Sequence, residues 1–254
     1  MNNYRNKKAV VIGGTSGMGY AIVEKLAKGE AEVLLTGRNE EKLLEASNTF
    51  PKVMGISSDI TDMAAINNLH DTVLQKVGTF DYLFINTGIC ELETIDAITE
   101  DSYDRQFSVN TKGAFFTVQK LLPLMNDGGA IVFTSSVADT IAMPTGLVYS
   151  ATKAALVSMS QVLAAELSPR GIRSNSLSVG YADTPSMGIA SFSPTEKQTF
   201  REDGNKYTPL GRIATVEEFA TAALFLAHDA TFVTGINMPF DGGMKLGAFA
   251  QQVE

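Results

Sequence analysis

A tyrosine and a lysine four residues apart, Tyr149 and Lys153, open a long segment with the apolar spacing of a helix. Residues at positions i and i+4 project from the same helix face, so the phenol and the ammonium can share one site. A cation within about 4 to 6 Å favours the phenolate and lowers the pKa of a tyrosine from its ordinary value of about 10. We therefore expect Tyr149 to be a general acid or base, although the same spacing is frequent on solvated helices.

A serine suited to hold a substrate oxygen, Ser136, lies thirteen residues before Tyr149. It follows an apolar run at residues 130–135 that predicts a strand, and open α/β sheets bind their ligands beyond the carboxyl ends of the strands. Two alternatives stay open on spacing alone. The neighbouring Ser135 could supply the hydroxyl, or Ser136 could simply begin a turn.

A glycine-rich turn directly follows a short apolar strand at residues 9–12 and precedes an amphipathic helix. Its residues are Gly13, Gly14, Thr15, Ser16, Gly17, Met18 and Gly19. Glycine accepts positive φ and has no Cβ, so such a turn brings backbone N–H groups and a helix N-terminus close to a pyrophosphate. Because the turn joins a strand to a helix, we expect a dinucleotide site rather than an ordinary glycine-rich connection.

The choice between NAD(H) and NADP(H) depends on the end of the second predicted strand, 18 or 19 residues after Gly19. A carboxylate there binds the adenine ribose hydroxyls of NAD, whereas an arginine accommodates the 2′-phosphate of NADP. No carboxylate stands there, since Glu40 and Glu41 come later and suit the start of a helix. The planar cationic fork of Arg38 favours NADP(H), with a solvated loop arginine and NAD(H) as the alternatives.

Short β-branched runs alternate with longer segments of helical period, which predicts parallel strands joined by crossover helices. The predicted strands are residues 9–12, 32–36, 53–57, 82–86, 130–135 and 172–179. The predicted helices are residues 18–28, 40–48, 63–77, 102–125, 148–167 and 216–227. No Pro/Gly/Ser-rich linker divides them, so residues 1–254 are predicted to form one α/β domain with a doubly wound parallel sheet.

One connection, residues 184–211, is longer than the limit of about 12 to 15 residues typical of compact domains. Several apolar side chains, among them Met187 and Phe192, make it unlike a solvated linker. We expect a partly helical flap over a ligand, with packing against a neighbouring subunit as the alternative.

Composition excludes several classes of function. The chain has 20 lysine and arginine residues against 28 acidic ones, a net charge of -8 and a pI of about 4.9, so no basic stripe is available for a nucleic acid. One cysteine, Cys90, and two histidines, His70 and His228, give no disulfide and no metal-ligand spacing. With no secretory pattern in residues 1–8 and no apolar run of about 18 residues, we expect a cytoplasmic protein without a membrane span.

Together these motifs resemble those of the classical short-chain dehydrogenase/reductase family over nearly the whole chain. The matching residues are Gly13, Gly17 and Gly19, Asp59 after the third strand, the Asn86-Thr87-Gly88 turn after the fourth, Asn110 in the next helix, and Ser136, Tyr149 and Lys153. Each motif alone is weak, but their order and spacing make the resemblance specific. It implies a Rossmann-like sheet of about seven strands and an oxidoreductase that moves a hydride between a nicotinamide and a carbonyl or alcohol carbon.

The resemblance implies a role for each of four catalytic residues. Tyr149 would protonate the carbonyl oxygen during reduction, or act as the base in the reverse direction. Lys153 would lower the pKa of that tyrosine and hold the nicotinamide ribose. Ser136 would orient the substrate oxygen, and Asn110 would place a water in a proton relay ending at Lys153. Two hydroxyl donors would suit the negative charge that hydride addition builds on one oxygen.

The resemblance also implies a cofactor site and, with the local sequence, a substrate pocket. The cofactor residues are Gly13, Thr15, Ser16, Gly17, Met18, Gly19, Arg38, Asp59, Ile60, Asn86, Gly88, Tyr149, Lys153, Gly180, Ala182 and Thr184. The pocket residues are Ser136, Val137, Met143, Leu147, Tyr149, Tyr181, Met187 and Phe192, with Ile89 and Cys90 as further walls. Because most of these walls are apolar, we expect a neutral, moderately hydrophobic ketone or alcohol. Val179 replaces the family's usual proline, which predicts a more mobile loop.

Two rival functions fit the chain less well. A non-catalytic dinucleotide-binding regulatory protein could keep the fold without the tyrosine and the lysine, yet both are present. A serine hydrolase would need a Gly-x-Ser-x-Gly elbow, and none surrounds Ser136. The resemblance further implies a homotetramer in which the predicted helices 102–125 and 148–167 pair across a two-fold axis.

Overall fold

The computed structural model describes residues 3–189 and 192–251, the last four of these for their backbone alone. In this part of the chain, seven parallel strands form one sheet in the order β3-β2-β1-β4-β5-β6-β7. They are β1 (Lys8–Ile12), β2 (Glu32–Gly37), β3 (Val53–Ser57), β4 (Phe80–Ile85), β5 (Met125–Ser136), β6 (Arg173–Val179) and β7 (Asn237–Phe240). The chain runs outward from β1 to β3 and then returns to β4, which confirms the doubly wound prediction.

Helices cover both faces of the sheet. They are α1 (Gly17–Lys28), α2 (Glu40–Thr49), α3 (Met63–Lys76), α4 (Glu100–Phe107), α5 (Ala114–Leu121), α6 (Leu147–Glu166), α7 (Pro194–Tyr207) and α8 (Val216–Leu224). Short 3₁₀ turns span Leu122–Leu124, Val137–Asp139, Ser168–Arg170 and Met244–Gln251, and π turns span Ser108–Gly113 and Phe225–Asp229. Within the described residues, no helix is long and apolar enough to cross a membrane.

The strands β1 to β5 supply side chains to two cores. Val11 of β1 packs with α1 and α8 on one face, whereas Val10 and Ile12 pack with α3, α5 and α6 on the other. Burial on both faces is why β1 and β4 are almost continuously apolar, whereas the buried strand β6 is mostly polar. The strand registers then set Ile12 beside Ile85 at one shared carboxyl edge.

The predicted helix 102–125 is interrupted, and this part of the prediction was wrong. Thr99 caps α4 through a capping box, so the helix begins earlier, and a π turn then separates α4 from α5. A Cβ at Gly113 would collide with the carbonyl of Ile60, so close packing against the loop after β3 requires glycine here. Pro123 lies in the 3₁₀ turn that ends the segment, and Met125 already belongs to β5.

The long connection at residues 184–211 is partly helical, as expected. Ser193 and Glu196 form a capping box that starts α7, and residues 190 and 191 lie outside the described part. Two contacts tie α7 to the chain that precedes it. Arg201 pairs with Asp183 at 2.6 Å, and Lys197 Nζ donates to the carbonyl of Pro185 at 2.7 Å.

The first core yields a prediction about stability. Leu26 of α1 is fully buried, so Leu26→Ala should lower the free energy of unfolding in urea by about 2 to 5 kcal/mol through lost burial and an unfilled cavity. Leu44 of α2 is 63% exposed, and Leu44→Ala should change that free energy by less than about 0.5 kcal/mol. Equal losses in the two variants would contradict the assignment of the core.

Candidate active site

The carboxyl ends of the central strands open onto two adjoining hollows. The glycine cleft, of about 300 Å³, is lined among others by Gly13, Thr15, Ser16, Gly17, Met18, Arg38, Asp59, Ile60, Asn86, Gly88 and Thr184. The tyrosine cavity, of about 340 Å³, contains Ser136, Tyr149 and Lys153. Both hollows include Met18, Asn86, Gly88, Ile89, Thr184 and Gly188, so they are continuous.

The turn at the base of the glycine cleft needs glycine at three positions. Gly13 and Gly17 have φ values of +78° and +54°, which side chains of L-residues rarely tolerate. A Cβ at Gly13 would lie 2.6 Å from Thr87 Oγ1, and one at Gly19 would collide with the carbonyl of Gly13. Gly19 therefore does not line the cleft but lets α1 begin directly beneath it.

The start of α1 can accept an anion. Ser16 occupies the N-cap position, yet its side chain makes no capping hydrogen bond, and the first turn has no acidic residue. The first N–H groups of the helix, together with the positive end of its dipole, therefore point toward the cleft. A pyrophosphate fits this donor set, so the residues present suit a dinucleotide.

The far end of the glycine cleft carries one charge of each sign. Arg38 lies exposed just beyond β2 and is the only cation among the described residues that line the cleft. Hydrogen bonds from the Thr61 N–H at 2.8 Å and its hydroxyl at 2.7 Å hold the pKa of Asp59 below its ordinary value, and the charge of Arg38 contributes. The charge of Arg38 therefore acts on Asp59 across the cleft that both residues line.

Ser136, Tyr149 and Lys153 meet in the tyrosine cavity. The Tyr149 phenol shares a hydrogen bond with the Ser136 hydroxyl, and Lys153 Nζ lies 5.6 Å from the centroid of the tyrosine ring. Lys153 Nζ donates to the carbonyl of Thr134 in β5 at 3.0 Å. The hydroxyl of Ser135 instead donates to the carbonyl of Lys153 at 3.1 Å. The hydroxyl that meets the phenol is thus that of Ser136.

The expected lowering of the tyrosine pKa was wrong for this structure. Burial raises the pKa of Tyr149 above its ordinary value, Cys90 and Asp139 add to the rise, and the Ser136 hydrogen bond opposes it. Burial also raises the pKa of the Cys90 thiol to about 12, so that thiol is uncharged at neutral pH. Loss of water around the phenol penalises the phenolate and outweighs the hydrogen bond from Ser136.

The amine of Lys153 is also withdrawn from water. Burial lowers the pKa of Lys153 from 10.5 to about 8. Gly88 leaves room for the amine, because a Cβ there would lie 3.0 Å from Lys153 Nζ. The protein alone therefore holds a phenol that keeps its proton beside an amine that loses its charge just above neutral pH.

Asn110 is buried in the π turn between α4 and α5. Its Nδ2 donates to the carbonyl of Ile89 at 2.9 Å and to Thr152 Oγ1 at 3.0 Å, and its Oδ1 accepts from the Ile89 N–H at 2.8 Å. The side chain thereby fixes the loop after β4 against α6. Its part in a proton relay stays a prediction.

The tyrosine cavity has mostly apolar walls. The predicted residues that line it include Ile89, Cys90, Val137, Met143, Gly180, Tyr181, Ala182 and Met187. Leu147 does not, because it lies two residues before Tyr149, on the opposite side of α6, and is 55% exposed. Phe192 does not either. Its ring packs 5.7 Å from that of Phe200, which lines the cavity in its place.

Sequence reasoning missed several walls that lie outside the strands of the sheet. They include Leu92, Ile141, Ala142, Pro144, Ile189, Phe200 and Met244. The position of Met244 soon after β7, at the same carboxyl edge as Ser136, was a usable signal. The others follow no periodic pattern. Among the described residues, no cluster of His, Cys, Asp and Glu is suited to a metal.

Comparison with known proteins gives relatives over the full length. A protein-family model described as enoyl-(acyl carrier protein) reductase matches residues 13–245. An uncharacterized oxidoreductase of Methylorubrum extorquens is 34% identical over 251 residues, covering 96% of this chain and 100% of that protein. An NAD-dependent glycerol dehydrogenase of Listeria innocua is 34% identical over 248 residues, covering 96% of each chain.

Solved structures agree with the sequence relatives. A double mutant of a Serratia marcescens short-chain dehydrogenase/reductase matches with a TM-score of 0.86 at 28% identity, covering 96% of this chain and 99% of that one. The sheet order and the glycine turn already point to a dinucleotide-binding fold. With the family match over residues 13–245, they show that this chain belongs to the short-chain dehydrogenase/reductase family of oxidoreductases.

Proposed function

We propose that this protein transfers a hydride between NADP(H) and a neutral, apolar ketone or alcohol, with Tyr149 as the general acid or base. One observation carries the proposal: Tyr149, Ser136 and Lys153 converge where the glycine cleft opens into the tyrosine cavity. A dinucleotide bound along the cleft supplies the hydride chemistry. Proton transfer and orientation of the substrate fall to residues of the chain.

The proposed roles follow from the protonation states. Because burial keeps the phenol neutral, Tyr149 can donate to a carbonyl oxygen and give up its proton as negative charge develops there. Ser136 supplies the second donor. Lys153, held by the carbonyl of Thr134, stabilises the phenolate when it is charged. Asn110 keeps the loop at Ile89 in place beside them.

The preference for NADP(H) is supported by charge. Arg38 is the only cation among the described residues that line the glycine cleft, and its guanidinium suits the 2′-phosphate. NAD(H) is the second candidate, because a relative of similar length is an NAD-dependent glycerol dehydrogenase. Asp59 is the only carboxylate among the described cleft residues that could accept from ribose hydroxyls.

The substrate class is supported by the walls of the tyrosine cavity. Lys153 is the only charged side chain among the described residues that line it, and its amine already donates to the protein backbone. A carboxylate or phosphate on the substrate would therefore lose water and meet no cation other than this amine, which the proposed mechanism uses beside the phenol. A neutral ring or chain would instead bury apolar surface against Met143, Met187 and Phe200.

The homotetramer and the cytoplasmic location stay predictions. Exposed apolar side chains on α5 and α6, Phe115 and Val162, support a partner surface on these helices. A non-catalytic regulatory role is disfavoured because the hydroxyl and amine groups needed for proton transfer are present and in contact with the cavity.

Tyr149→Phe tests the reaction directly, because it removes the proton donor and keeps the ring. With NADPH and a panel of neutral and anionic ketones, we expect kcat to fall by about 10²- to 10⁴-fold, and the Kd for NADPH to stay within about twofold. Tyr103→Phe, on the exposed side of α4, is the control. Undiminished turnover would remove Tyr149 from the mechanism, and a clear preference for anionic ketones would overturn the substrate class.

Arg38→Asp tests the cofactor. Loss of a charge-assisted contact should reduce the NADPH-to-NADH ratio of kcat/KM by about 10- to 100-fold, measured from the initial rates with each cofactor. Lys52→Asp makes the same change in charge just before β3, at the amino ends of the strands, and should leave the ratio unchanged. An unchanged ratio in Arg38→Asp would place the 2′-phosphate contact elsewhere.

The low pKa of Lys153 predicts how stability depends on pH. Between its folded pKa of about 8 and its ordinary value of 10.5, the unfolded chain binds this proton more tightly, so the contribution of Lys153 to the stability of the folded state rises with pH across this window. The raised pKa of the Cys90 thiol acts in the opposite direction above about pH 9, so the wild type is compared with a variant that lacks only the amine. Lys153→Met should remove that rise in urea unfolding at pH 7 to 10, whereas Lys42→Met on exposed α2 should keep it. If the free energy of unfolding of the wild type changes with pH in parallel with that of Lys153→Met, the pKa of this amine is not lowered in the folded protein.

A further inference from the structure

A buried carboxylate, Asp139, lies at the carboxyl edge of the sheet close to the tyrosine cavity. It ends the 3₁₀ turn Val137–Asp139 that directly follows Ser136, and only 2% of its side chain is exposed. The Ser136 hydroxyl accepts from the N–H of Ala138 in the same turn at 3.3 Å. The position of Asp139 therefore influences the hydroxyl that meets Tyr149.

Asp139 links two neighbouring strands. Its Oδ2 accepts from the Ser178 hydroxyl in β6, and from Asn237 Nδ2 in β7 at 2.7 Å. Its Oδ1 accepts from the Thr140 hydroxyl at 3.0 Å. These bonds keep the pKa of Asp139 below its ordinary value although burial opposes the charge. The group is thus a fixed negative charge behind the cavity wall.

The countercharge comes from the C-terminal strap, which we define as residues 241–246. Lys245 Nζ lies 3.0 Å from Asp139 Oδ1, and the lysine side chain is only 22% exposed. The strap folds back because the Asp241 carboxylate accepts from the N–H groups of Gly243 at 2.8 Å and of Lys245 at 2.9 Å. The ion pair therefore connects two segments that are far apart in sequence.

The strap also supplies a wall of the cavity. Met244, the residue before Lys245, lines the tyrosine cavity. Its sulfur packs so closely on Gly180 that a Cβ there would lie 2.8 Å from Met244 Sδ. The absence of a side chain at Gly180 is what lets the methionine approach. Met244 thus lies outside the strands of the sheet, and a second contact of the strap is the Leu210 N–H, which donates to the carbonyl of Gly242 at 3.2 Å.

We propose that Asp139 and Lys245 are positioning residues whose ion pair holds Met244 in place as a wall of the tyrosine cavity, and so determines how well substrates that reach this wall bind. The inference rests on the proposed function, since it concerns the substrate of the same site. Two largely buried charges that pair here would be costly to separate, which makes the strap position well defined. The ion pair does not affect the binding of substrates that are too small to touch Met244.

Lys245→Met tests the pair while keeping the length of the side chain. Asp139 retains its bonds from Ser178, Asn237 and Thr140, so the fold should persist. For a cyclic ketone large enough to touch Met244, we expect KM to rise about five- to tenfold, with kcat within about twofold. The KM for a small ketone and the KM for NADPH should be unchanged. Lys245→Arg keeps the charge and should restore the KM for the large ketone.

A second ion pair supplies the matched control. Lys28 lies 3.0 Å from Glu24 near the end of α1, at the same distance as the pair under test, and Lys28→Met should leave every KM unchanged. A KM for the large ketone that is the same in wild type and Lys245→Met overturns the inference. An equal rise for the small and the large ketone overturns it as well, because general loosening would then explain the effect.

Hydrogen exchange separates failure of this inference from failure of the proposed function. In Lys245→Met, the amides of the strap at residues 245 and 246 should exchange faster than in wild type and in Lys245→Arg. If wild type reduces no ketone of the panel, the proposed function fails, while faster exchange still supports the ion pair as the anchor of the strap. If hydrogen exchange in Lys245→Met is the same as in wild type, the ion pair does not anchor the strap, whatever the activity of the protein.

Discussion

Removal of water from around Tyr149 and Lys153 is the constraint on which the rest of the site depends. Burial opposes charge on both groups, so the pKa of the phenol rises and that of the amine falls. In the proposed reaction, the phenol keeps its proton until a stronger base, the oxygen that receives negative charge, forms beside it. In such a dry site, charges also interact more strongly than they would in water. The amine is therefore well placed to stabilise a phenolate only when one exists.

The parallel sheet brings these groups together largely through backbone atoms. Lys153 is held by the carbonyl of Thr134, and the gap at Gly88 admits its amine. Ser136 ends β5, next to the strand that precedes Gly180. Because all strands are parallel, their carboxyl ends meet at one edge, and groups far apart in sequence become neighbours there. The fold thus positions the hydroxyl and amine groups of the site mainly through the backbone and requires few further side chains.

Features that depend on periodicity and spacing were predicted correctly from the sequence. Features that depend on tertiary contacts were not. Residues 53–57 were predicted as a strand, and the structure has β3 at Val53–Ser57, because a short apolar run between turn residues is typical of a strand. The break inside the predicted helix 102–125 depends on how closely Gly113 approaches Ile60, which no local pattern encodes. The direction of the Tyr149 pKa was missed for the same reason. Spacing showed that a lysine is near, but it did not show how little water surrounds the phenol.

The groups proposed to react and the walls proposed to select a substrate lie on different segments of the chain. The hydroxyl and amine groups lie on β5 and α6, whereas Met187, Phe200 and Met244 come from the long connection and the C-terminal strap. Changes in these irregular segments alter which surface a substrate meets without moving the strand ends. Relatives of similar length can therefore share the fold and differ in what they act on, as the name of a glycerol dehydrogenase among them illustrates. Since the described walls carry no charge apart from Lys153, the proposed selection in this chain depends on shape and apolar contact.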